Sequence, residues 1–433
     1  MVRTGKKRKV KSLSYRIIPP LIEPLVIPRA DHSISRDQID PDALKVLYRL
    51  RKFNHVAYLV GGSVRDLLLN RKPKDFDVGT SAHPHEVKKL FRNCWIIGRR
   101  FRLAHIKFGQ KTIEVATFRR QVPPENQTQE PDKPSGRPIS RDNTFGTSEE
   151  DAFRRDFTIN GLFYDIATFS VIDYVGGLAD LRNGLIRSIG DPNDRFVEDP
   201  VRMLRAVSFA ARLGFRLDPL VRRAIRQHRS EIANASPARM IEELYKILRS
   251  GVSAQTYRSL LRTGLLTYIA PEIEQAASPD FWKSLKALDS YRTRFTAIPQ
   301  NLTNAVLLGS LVTPIQLIDL SPRRTREKKE KGPRVTLGQL PIARRDVERL
   351  RQLLTLQTRL INPRLPPRAQ EAIMHRGAFG DAMTWLEIHS TDSDALNRWQ
   401  TLIANSKIDH RKNNQQRRRP RRRGGRKSKP VRS

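Results

Sequence analysis

The chain of 433 residues is strongly basic, with 81 Lys and Arg against 44 Asp and Glu and a formal net charge of +37. Its single cysteine, Cys94, excludes an intramolecular disulfide framework and cysteine-rich zinc modules, and is typical of a reducing compartment. No segment approaches the roughly 18 apolar residues of a membrane span, so we expect a soluble, cytoplasmic protein that does not contact membranes. The positive charge favours a polyanion, most simply a nucleic acid, as the partner.

The positive charge is concentrated at the two ends of the chain. Residues 1–38 form a basic arm and lead-in, which holds seven Lys and Arg and no acid between Met1 and Arg16. Residues 406–433 hold 13 Lys and Arg against a single acid and show no apolar period. We expect this tail to be disordered until it binds RNA.

The first predicted elements surround a pair of glycines. A helix is expected from about Asp40 to Lys52, followed by a short apolar strand, Val56 to Val60, and a second helix from Ser63 to Leu69. Gly61 and Gly62 would form the turn between the strand and the second helix. Because the first turn of a helix has N–H groups without helical partners, a phosphate fits there.

Two carboxylates follow this turn, at Asp75 and Asp77. On a strand, this spacing would direct both side chains to the same side of the sheet, with Phe76 on the other side. A Gly-Gly turn or an Asp-x-Asp pair is common by itself in turns and on solvated surfaces. In this order and proximity, however, the two features predict a triphosphate site beside two divalent metal ions.

Three strands are expected next, at Trp95 to Gly98, Leu103 to Phe108 and Thr112 to Phe118. The last strand carries Glu114 between two apolar residues. Strand alternation favours an outward-facing structural glutamate, whereas proximity to the aspartates would make it a third metal-binding carboxylate. Both interpretations are open. His105, on the middle strand, is more typical of packing or hydrogen bonding than of a general base.

The remaining chain pattern divides a sheet domain from helices. Residues 121–146 are predicted to form a proline-rich mobile loop, and strands at 163–167 and 171–175 complete the sheet domain, which ends near Pro192. Helices that follow a sheet domain indicate an α+β fold. The expected divisions are the arm at 1–38, a sheet domain at 39–191, a helical neck at 192–252, a helical body at 253–320, a charged linker at 321–335, a helical C-terminal RNA-binding domain at 336–405 and the tail at 406–433.

The helical part has two further predicted features. One helix should open at Glu198, with Pro200 in its first turn. The last domain should contain helices at 342–357, 367–388 and 392–403.

The chain contains five motifs in a fixed order: Leu59–Asp66 (LVGGSVRD), Asp75–Asp77 (DFD), Ile113–Arg119 (IEVATFR), Arg154–Asn160 (RRDFTIN) and Glu198–Arg205 (EDPVRMLR). Together they resemble the class II nucleotidyltransferases, which comprise bacterial CCA-adding enzymes and bacterial poly(A) polymerases. The resemblance is dense from about Val26 to Pro271 and thin beyond. It implies a small polymerase-beta-like nucleotidyltransferase sheet domain, followed by all-helical neck, body and C-terminal domains.

The resemblance also implies the site residues. The catalytic carboxylates would be Asp75, Asp77 and Asp156, with Mg²⁺ held by Asp75, Asp77 and, from strand geometry, Glu114. The division of work between Glu114 and Asp156 is open. The nucleotide-binding residues would be Gly61, Gly62, Arg65 and Arg155 at the phosphates, Asp199 and Arg202 at the edge of the base, and Arg205, which would steady the phosphates. Ser208 departs from the family, whose members usually carry an arginine there.

The segment Ile96–Ile106 resembles the stretch that distinguishes poly(A) polymerases from CCA-adding enzymes, and the long basic C-terminus points the same way. The resemblance therefore implies template-independent addition of AMP from ATP to RNA 3′ ends, of mRNA and small RNAs, which marks RNA for processing and decay. RNA-decay proteins are candidate partners. One alternative is a tRNA CCA-adding or A-adding nucleotidyltransferase, and a second is a non-catalytic basic RNA-binding protein.

Overall fold

The structure is a computed structural model that describes residues 23–98, 102–120, 144–318 and 335–417, with side chains in the last helix described up to residue 405. It separates into two units, Met1–Pro192 and Asn193–Ser433. This boundary lies at the predicted end of the sheet domain. The arm at 1–22, Arg99 to Phe101, the loop at 121–143, the linker at 319–334 and the tail at 418–433 lie outside the described residues.

An eight-stranded mixed sheet forms the first unit, in the order β1-β8-β7-β2-β3-β6-β5-β4. Most neighbouring strands are antiparallel, whereas β3 and β6 run parallel, with Val78 opposite Val115. The strands are β1 (Leu25–Ile27), β2 (Ala57–Val60), β3 (Val78–Thr80), β4 (Cys94–Ile97), β5 (Leu103–Phe108), β6 (Lys111–Thr117), β7 (Leu162–Asp165) and β8 (Ser170–Asp173), with a separate short strand β9 (Leu185–Ile186).

The edge strand β1 corrects the prediction for the lead-in. Leu25–Ile27 was expected to belong to a polar segment outside the sheet domain, but it pairs with β8. Three residues between prolines are too few to show a strand period, so only the pairing partner reveals the strand.

Five helices pack with this sheet: α1 (Pro41–Lys52), α2 (Gly62–Leu68), α3 (Pro84–Leu90), α4 (Ser148–Phe153) and α5 (Gly177–Arg182). The helix α1 begins at Asp40, whose Oδ1 accepts the amide of Asp42, and buries Val46, Leu47 and Leu50. At α4, Thr147 forms a capping box with Glu150.

Backbone hydrogen bonds join the two ends of the segment at 121–143. The amide of Arg120 donates to Thr144 O (3.0 Å), and the amide of Gly146 donates to Phe118 O (3.0 Å). Phe118 itself packs in a buried cluster with Val60 and Phe163. The chain therefore leaves and re-enters the sheet domain at one fixed place.

The second unit is built from helices, as predicted, with the short strand β10 (Arg216–Leu217). Their bounds are α6 (Pro192–Glu198, which starts at the boundary), α7 (Val201–Leu213), α8 (Pro219–His228), α9 (Pro237–Leu248), α10 (Ser253–Thr263), α11 (Leu266–Ile269), α12 (Pro271–Ala276), α13 (Pro279–Thr293), α14 (Asn304–Val312), α15 (Arg344–Ile361), α16 (Pro367–Met374), α17 (Phe379–His389) and α18 (Ser393–Arg417). Within the described residues, no helix combines the length and apolar character needed to cross a bilayer.

Three helix predictions differ from the structure. Glu198 ends α6 rather than opening a helix, because Pro200 has no N–H to continue it, and α7 starts at Val201. The single helix expected at 367–388 is two helices, α16 and α17. The final helix α18 runs to Arg417, beyond the predicted end at 403 and into the tail predicted to be disordered.

A partly buried histidine ends α17. His389 Nε2 lies 2.9 Å from Ser310 Oγ, and its ring packs against Trp385, with 4.1 Å between the ring centroids. Burial lowers the pKa of His389 from 6.5 to about 4, because the protonated ring loses hydration that the site does not replace. The folded protein therefore keeps this ring neutral at neutral pH.

The lowered pKa of His389 predicts an acid-sensitive contribution to stability. Between pH 6.5 and about 4, the unfolded chain binds a proton that the folded chain does not, so the free energy of unfolding falls as the pH falls. We expect His389→Gln to remove this loss, which amounts to about 3 kcal/mol at most. Urea unfolding followed by tryptophan fluorescence across this pH range measures it.

His375→Gln is the matched control, because His375 is exposed at the end of α16. The stability difference between this variant and the parent protein should not change across the same pH range. An equal pH dependence in the parent protein and in His389→Gln contradicts the assignment.

Candidate active site

Gly61 allows the tight turn between β2 and α2. Its φ of +67° is a left-handed conformation, and a Cβ added there would lie 2.8 Å from Arg155 Nη1. Its N–H donates to Leu162 O (3.0 Å), and phosphate binding at Gly61 stays a prediction. What Gly61 provides is the backbone conformation and the space for Arg155. Gly62 lies in the first turn of α2.

Arg65 belongs to a buried hydrogen-bond network. Its Nε donates to Asp66 Oδ1 (2.8 Å), and its Nη1 donates to Asn160 Oδ1 (2.6 Å). Asn160 Nδ2 donates in turn to Asp156 Oδ1 (3.0 Å). Only 2% of Arg65 is exposed. Arg65 thus ties α2 to Asn160 and, through it, to Asp156, and its direct contact with a phosphate stays a prediction.

Asp75 and Asp77 lie in the irregular segment before β3 rather than on a strand, which starts one residue later at Val78. The carbonyl of Asp77 nevertheless accepts the amide of Val60 (3.1 Å), so the sheet holds its backbone. Asp75 is exposed and pairs with Lys74 (3.3 Å). The predicted proximity of the two carboxylates is retained without the predicted strand.

Asp77 is a partly buried acid among other acids. Burial, followed by the charges of Glu114 and Asp75, raises the pKa of Asp77 to about 6, against a smaller lowering by Arg155 and Lys74. Such an excess of negative charge is what a divalent cation neutralises, and carboxylate oxygens are the ligands that Mg²⁺ prefers. The chemistry of this donor set therefore fits Mg²⁺. Within the described ranges, the side chains as they stand form no group of three or more acids, histidines or cysteines that could hold a metal ion.

The two candidates for the third carboxylate have different surroundings. Glu114 on β6 is half-exposed, and its charge raises the pKa of Asp77. Asp156 accepts from Asn160 and from the amide of Phe157 (2.9 Å). Glu114 and Asp75 are thus acids whose charges reach Asp77, and the choice between Glu114 and Asp156 stays a prediction. His105 Nε2 lies 3.7 Å from Glu114 Oε1, a contact that suits a structural neighbour.

Arg155, one of the cations predicted for phosphate, lowers the pKa of Asp77 by its charge. Its Nη2 pairs with Asp151 (2.9 Å), and its guanidinium lies over the ring of Phe163, 5.2 Å from the centroid. Sequence reasoning did not identify Asp151 as the ion-pair partner of Arg155, nor Asn160 as the residue that links Arg65 to Asp156. Asp151 lies on α4 and Arg155 lies two residues past its end, and their spacing of four residues is a signal that could have identified the pair.

The residues predicted to read the base lie in the second unit, each with an acidic or basic partner. Asp199 forms a bidentate pair with Arg239 (3.0 and 2.8 Å). Arg202 donates to Glu198 Oε2 (2.6 Å). Arg205, predicted to steady the phosphates, pairs with Glu243 (3.2 Å). Sequence reasoning did not identify these partners, because Arg239 and Glu243 lie far along the chain on α9.

Two family models match the chain. One is described as the poly A polymerase head domain and matches residues 57–187. The other is described as the probable RNA and SrmB-binding site of polymerase A and matches residues 214–277. The first covers β2 to β9, including the acidic group and the glycine turn, and the second covers the helices that follow α7.

Curated relatives and solved structures agree with these matches. Poly(A) polymerase I of Salmonella typhi is 52% identical over 253 residues, covering 57% of this chain and 54% of the relative. The CCA-adding enzyme of Bacillus velezensis is 38% identical over 225 residues, covering 52% and 54%. The chain thus spans about half the length of either relative.

Structural similarity extends further along the chain. The crystal structure of the Bacillus stearothermophilus CCA-adding enzyme in complex with CTP matches with a TM-score of 0.57 and 25% identity, covering 85% of this chain and 83% of that one. This likeness confirms the predicted α+β class. Over residues 57–277, which hold most of its motifs and both matched domains, the chain is thus similar to the class II nucleotidyltransferases, the family of bacterial poly(A) polymerases and CCA-adding enzymes.

Proposed function

We propose that this protein is a template-independent poly(A) polymerase, which transfers AMP from ATP to RNA 3′ ends and releases pyrophosphate. The observation that carries the proposal is the greater identity to Poly(A) polymerase I, 52%, than to the CCA-adding enzyme, 38%, over a region that contains the acidic group. Asp75, Asp77 and Glu114, facing Arg155 and the glycine turn, give this region the chemistry of nucleotidyl transfer.

The reaction joins the RNA 3′-oxygen to the α-phosphorus of ATP and breaks the bond to the pyrophosphate leaving group. Asp75, Asp77 and Glu114 would hold Mg²⁺, which supplies activation of the hydroxyl and neutralisation of the phosphate charge. Their three carboxylates create the negative potential that this requires. Asp156 contributes by fixing Asn160, and through it Arg65, behind the glycine turn.

Arg155 and the turn at Gly61 would bind the triphosphate. The guanidinium of Arg155 is held by Asp151 on one side and lies against Gly61 on the other, so one face of the cation is fixed before a nucleotide arrives. Preorganised charges stabilise a transition state better than charges that must be oriented at the moment of reaction. The amide of Gly62 would add a hydrogen bond from the first turn of α2.

Selection of adenine is proposed, by family analogy, for Asp199 and Arg202, with Arg205 steadying the phosphates. The bidentate partner Arg239 fixes the carboxylate of Asp199, while Glu198 holds Arg202. A donor and an acceptor with fixed orientation can discriminate between base edges by hydrogen bonding. RNA would be captured by the basic ends of the chain. A cytoplasmic location and RNA-decay partners remain predictions.

The alternative is tRNA CCA addition. This alternative is favoured by the structural similarity to a CCA-adding enzyme that was solved in complex with CTP. The two functions use the same chemistry and differ in nucleotide and RNA choice, so they are separated by substrate.

The test of the proposed function is nucleotide and RNA preference. The purified full-length protein with Mg²⁺ is incubated with a generic RNA or with a tRNA lacking its 3′ end, and each NTP is supplied separately. Long tails on both RNAs with ATP alone are the expected result, read on a denaturing gel. Use of CTP, or addition restricted to tRNA, would replace the proposal with the alternative.

Removing a carboxylate of the acidic group should abolish catalysis without unfolding the protein. We expect Asp77→Asn and Glu114→Gln each to lower kcat by at least about a hundredfold, because the charge that stabilises the reacting phosphate is lost. Circular dichroism should stay unchanged, and the unfolding midpoint should not fall; in Asp77→Asn it should rise, because the substitution removes a charge that burial and the neighbouring acids destabilise at neutral pH.

Asp37→Asn is the control for charge removal, because Asp37 is an exposed acid of the same unit outside the acidic group. It should retain full activity. Full activity in Glu114→Gln would instead return the third-carboxylate role to Asp156.

The raised pKa of Asp77 predicts pH-dependent binding of divalent metal. Because a protonated carboxyl is a poor ligand, the affinity for Mg²⁺ should fall as the pH falls through about 6. Near this pH, metal binding should release a proton, measurable by calorimetry of Mg²⁺ alone in buffers of different ionisation enthalpy. Glu114→Gln removes the second largest cause of the raised pKa of Asp77. The pH at which the affinity for Mg²⁺ falls should therefore be lower in this variant. An affinity that is equal above and below pH 6 contradicts this prediction.

A further inference from the structure

The outer face of strands β4, β5 and β6 exposes apolar and aromatic side chains beside the acidic group. Strand alternation turns Cys94, Ala104 and Ile113 into the core, where they are at most 4% exposed. The alternate residues face outward, and among them Trp95 is 51% and Ile97 49% exposed. We call this face the outer platform, formed by Trp95, Ile97, Leu103, His105, Lys107 and Glu114.

Strand register aligns the platform with the candidate catalytic residues. Trp95 lies opposite His105, and His105 lies opposite Glu114. Asp77 immediately precedes β3, which pairs in parallel with β6. In this pairing Val78 lies opposite Val115, the residue after Glu114. Asp77, Glu114, His105 and Trp95 therefore form one row across four neighbouring strand positions. At ~4.8 Å between strands the row spans ~14 Å, about the length of four stacked nucleotides.

The chemistry of the platform suits single-stranded nucleic acid. Trp95 offers an exposed ring, and Lys107 Nζ lies 5.3 Å from the centroid of that ring. Arg102, at the start of β5, is exposed as well. An aromatic ring that stacks a base, flanked by cations that meet phosphates, is the arrangement by which sheets bind single strands. Since Trp is a residue that proteins mostly bury, its exposure beside the acidic group points to a ligand.

We propose that the outer platform binds the single-stranded 3′ segment of the RNA primer. A base a few nucleotides upstream of the end stacks on Trp95, Lys107 contacts a phosphate, and the terminal nucleotide reaches Glu114 and Asp77. This inference rests on the proposed function, because it assigns the path of that reaction's primer. Charge and continuity with the acidic group favour RNA over a protein that would pair with the edge strand β4.

Equilibrium binding of a fluorescein-labelled oligoadenylate to the full-length protein, without nucleotide, tests the platform by anisotropy. We expect Trp95→Ala to weaken binding about 5- to 100-fold, as for the loss of one base stack, and Trp95→Phe to restore most of the affinity. In elongation assays, Trp95→Ala should raise the KM for primer while the KM for ATP stays unchanged. Lys107→Gln should reduce the slope of log affinity against log salt by about one phosphate contact.

Phe53→Ala is the matched control, because Phe53 is 48% exposed in the same unit but lies at the end of α1, outside the platform. It should bind RNA as the parent protein does. Unchanged affinity in Trp95→Ala, with the parent protein elongating RNA, would overturn the platform and leave the proposed function intact. Trp95-dependent RNA binding in a parent protein that incorporates no nucleotide would uphold the platform and reject the polymerase activity.

Discussion

The parallel pairing of β3 with β6 is the constraint on which the acidic group depends. Two parallel neighbours cannot be joined by a tight turn, so the chain must make a long crossover before it returns. Here the crossover contains α3, β4 and β5, and it brings Glu114 beside Asp77 from 37 positions further along the sequence. The same crossover supplies the strands whose outer face exposes Trp95. Acidic group and platform are thus two results of one topological requirement.

The sequence predicted what depends on local pattern. The strand Leu103–Phe108 was predicted with its observed bounds. The sequence could not predict what depends on partners far along the chain. The amide of Gly61 donates to the carbonyl of Leu162, and the buried guanidinium of Arg65 donates to the side chain of Asn160. Likewise, only the pairing of β3 with β6 shows that Glu114 lies next to Asp77 in the strand register, because Val78 is opposite Val115.

In the second unit, too, the motif identifies residues but does not show which other residues hold them in place. The family motif identifies Asp199 and Arg202, but their conformations are set by Arg239 and Glu198. A bidentate arginine holds a carboxylate in one plane, which a lysine would not do. If these side chains read a base, the geometry of the reading edge depends on residues that carry no motif. Nucleotide choice can therefore differ between relatives whose motifs are identical.

The paired hydrogen bonds between Arg120 and Thr144 and between Gly146 and Phe118 have a consequence for how this protein tolerates insertions. They close the sheet domain at the base of the segment 121–143, so the core around Phe118 does not depend on what lies between. Since each doubling of the length of a connection adds only about 0.6 kcal/mol of closure entropy, we expect an insertion between these two hydrogen-bonded ends to cost little stability. The segment offers a position where a tag, a fluorophore or a whole domain can be inserted beside the catalytic sheet.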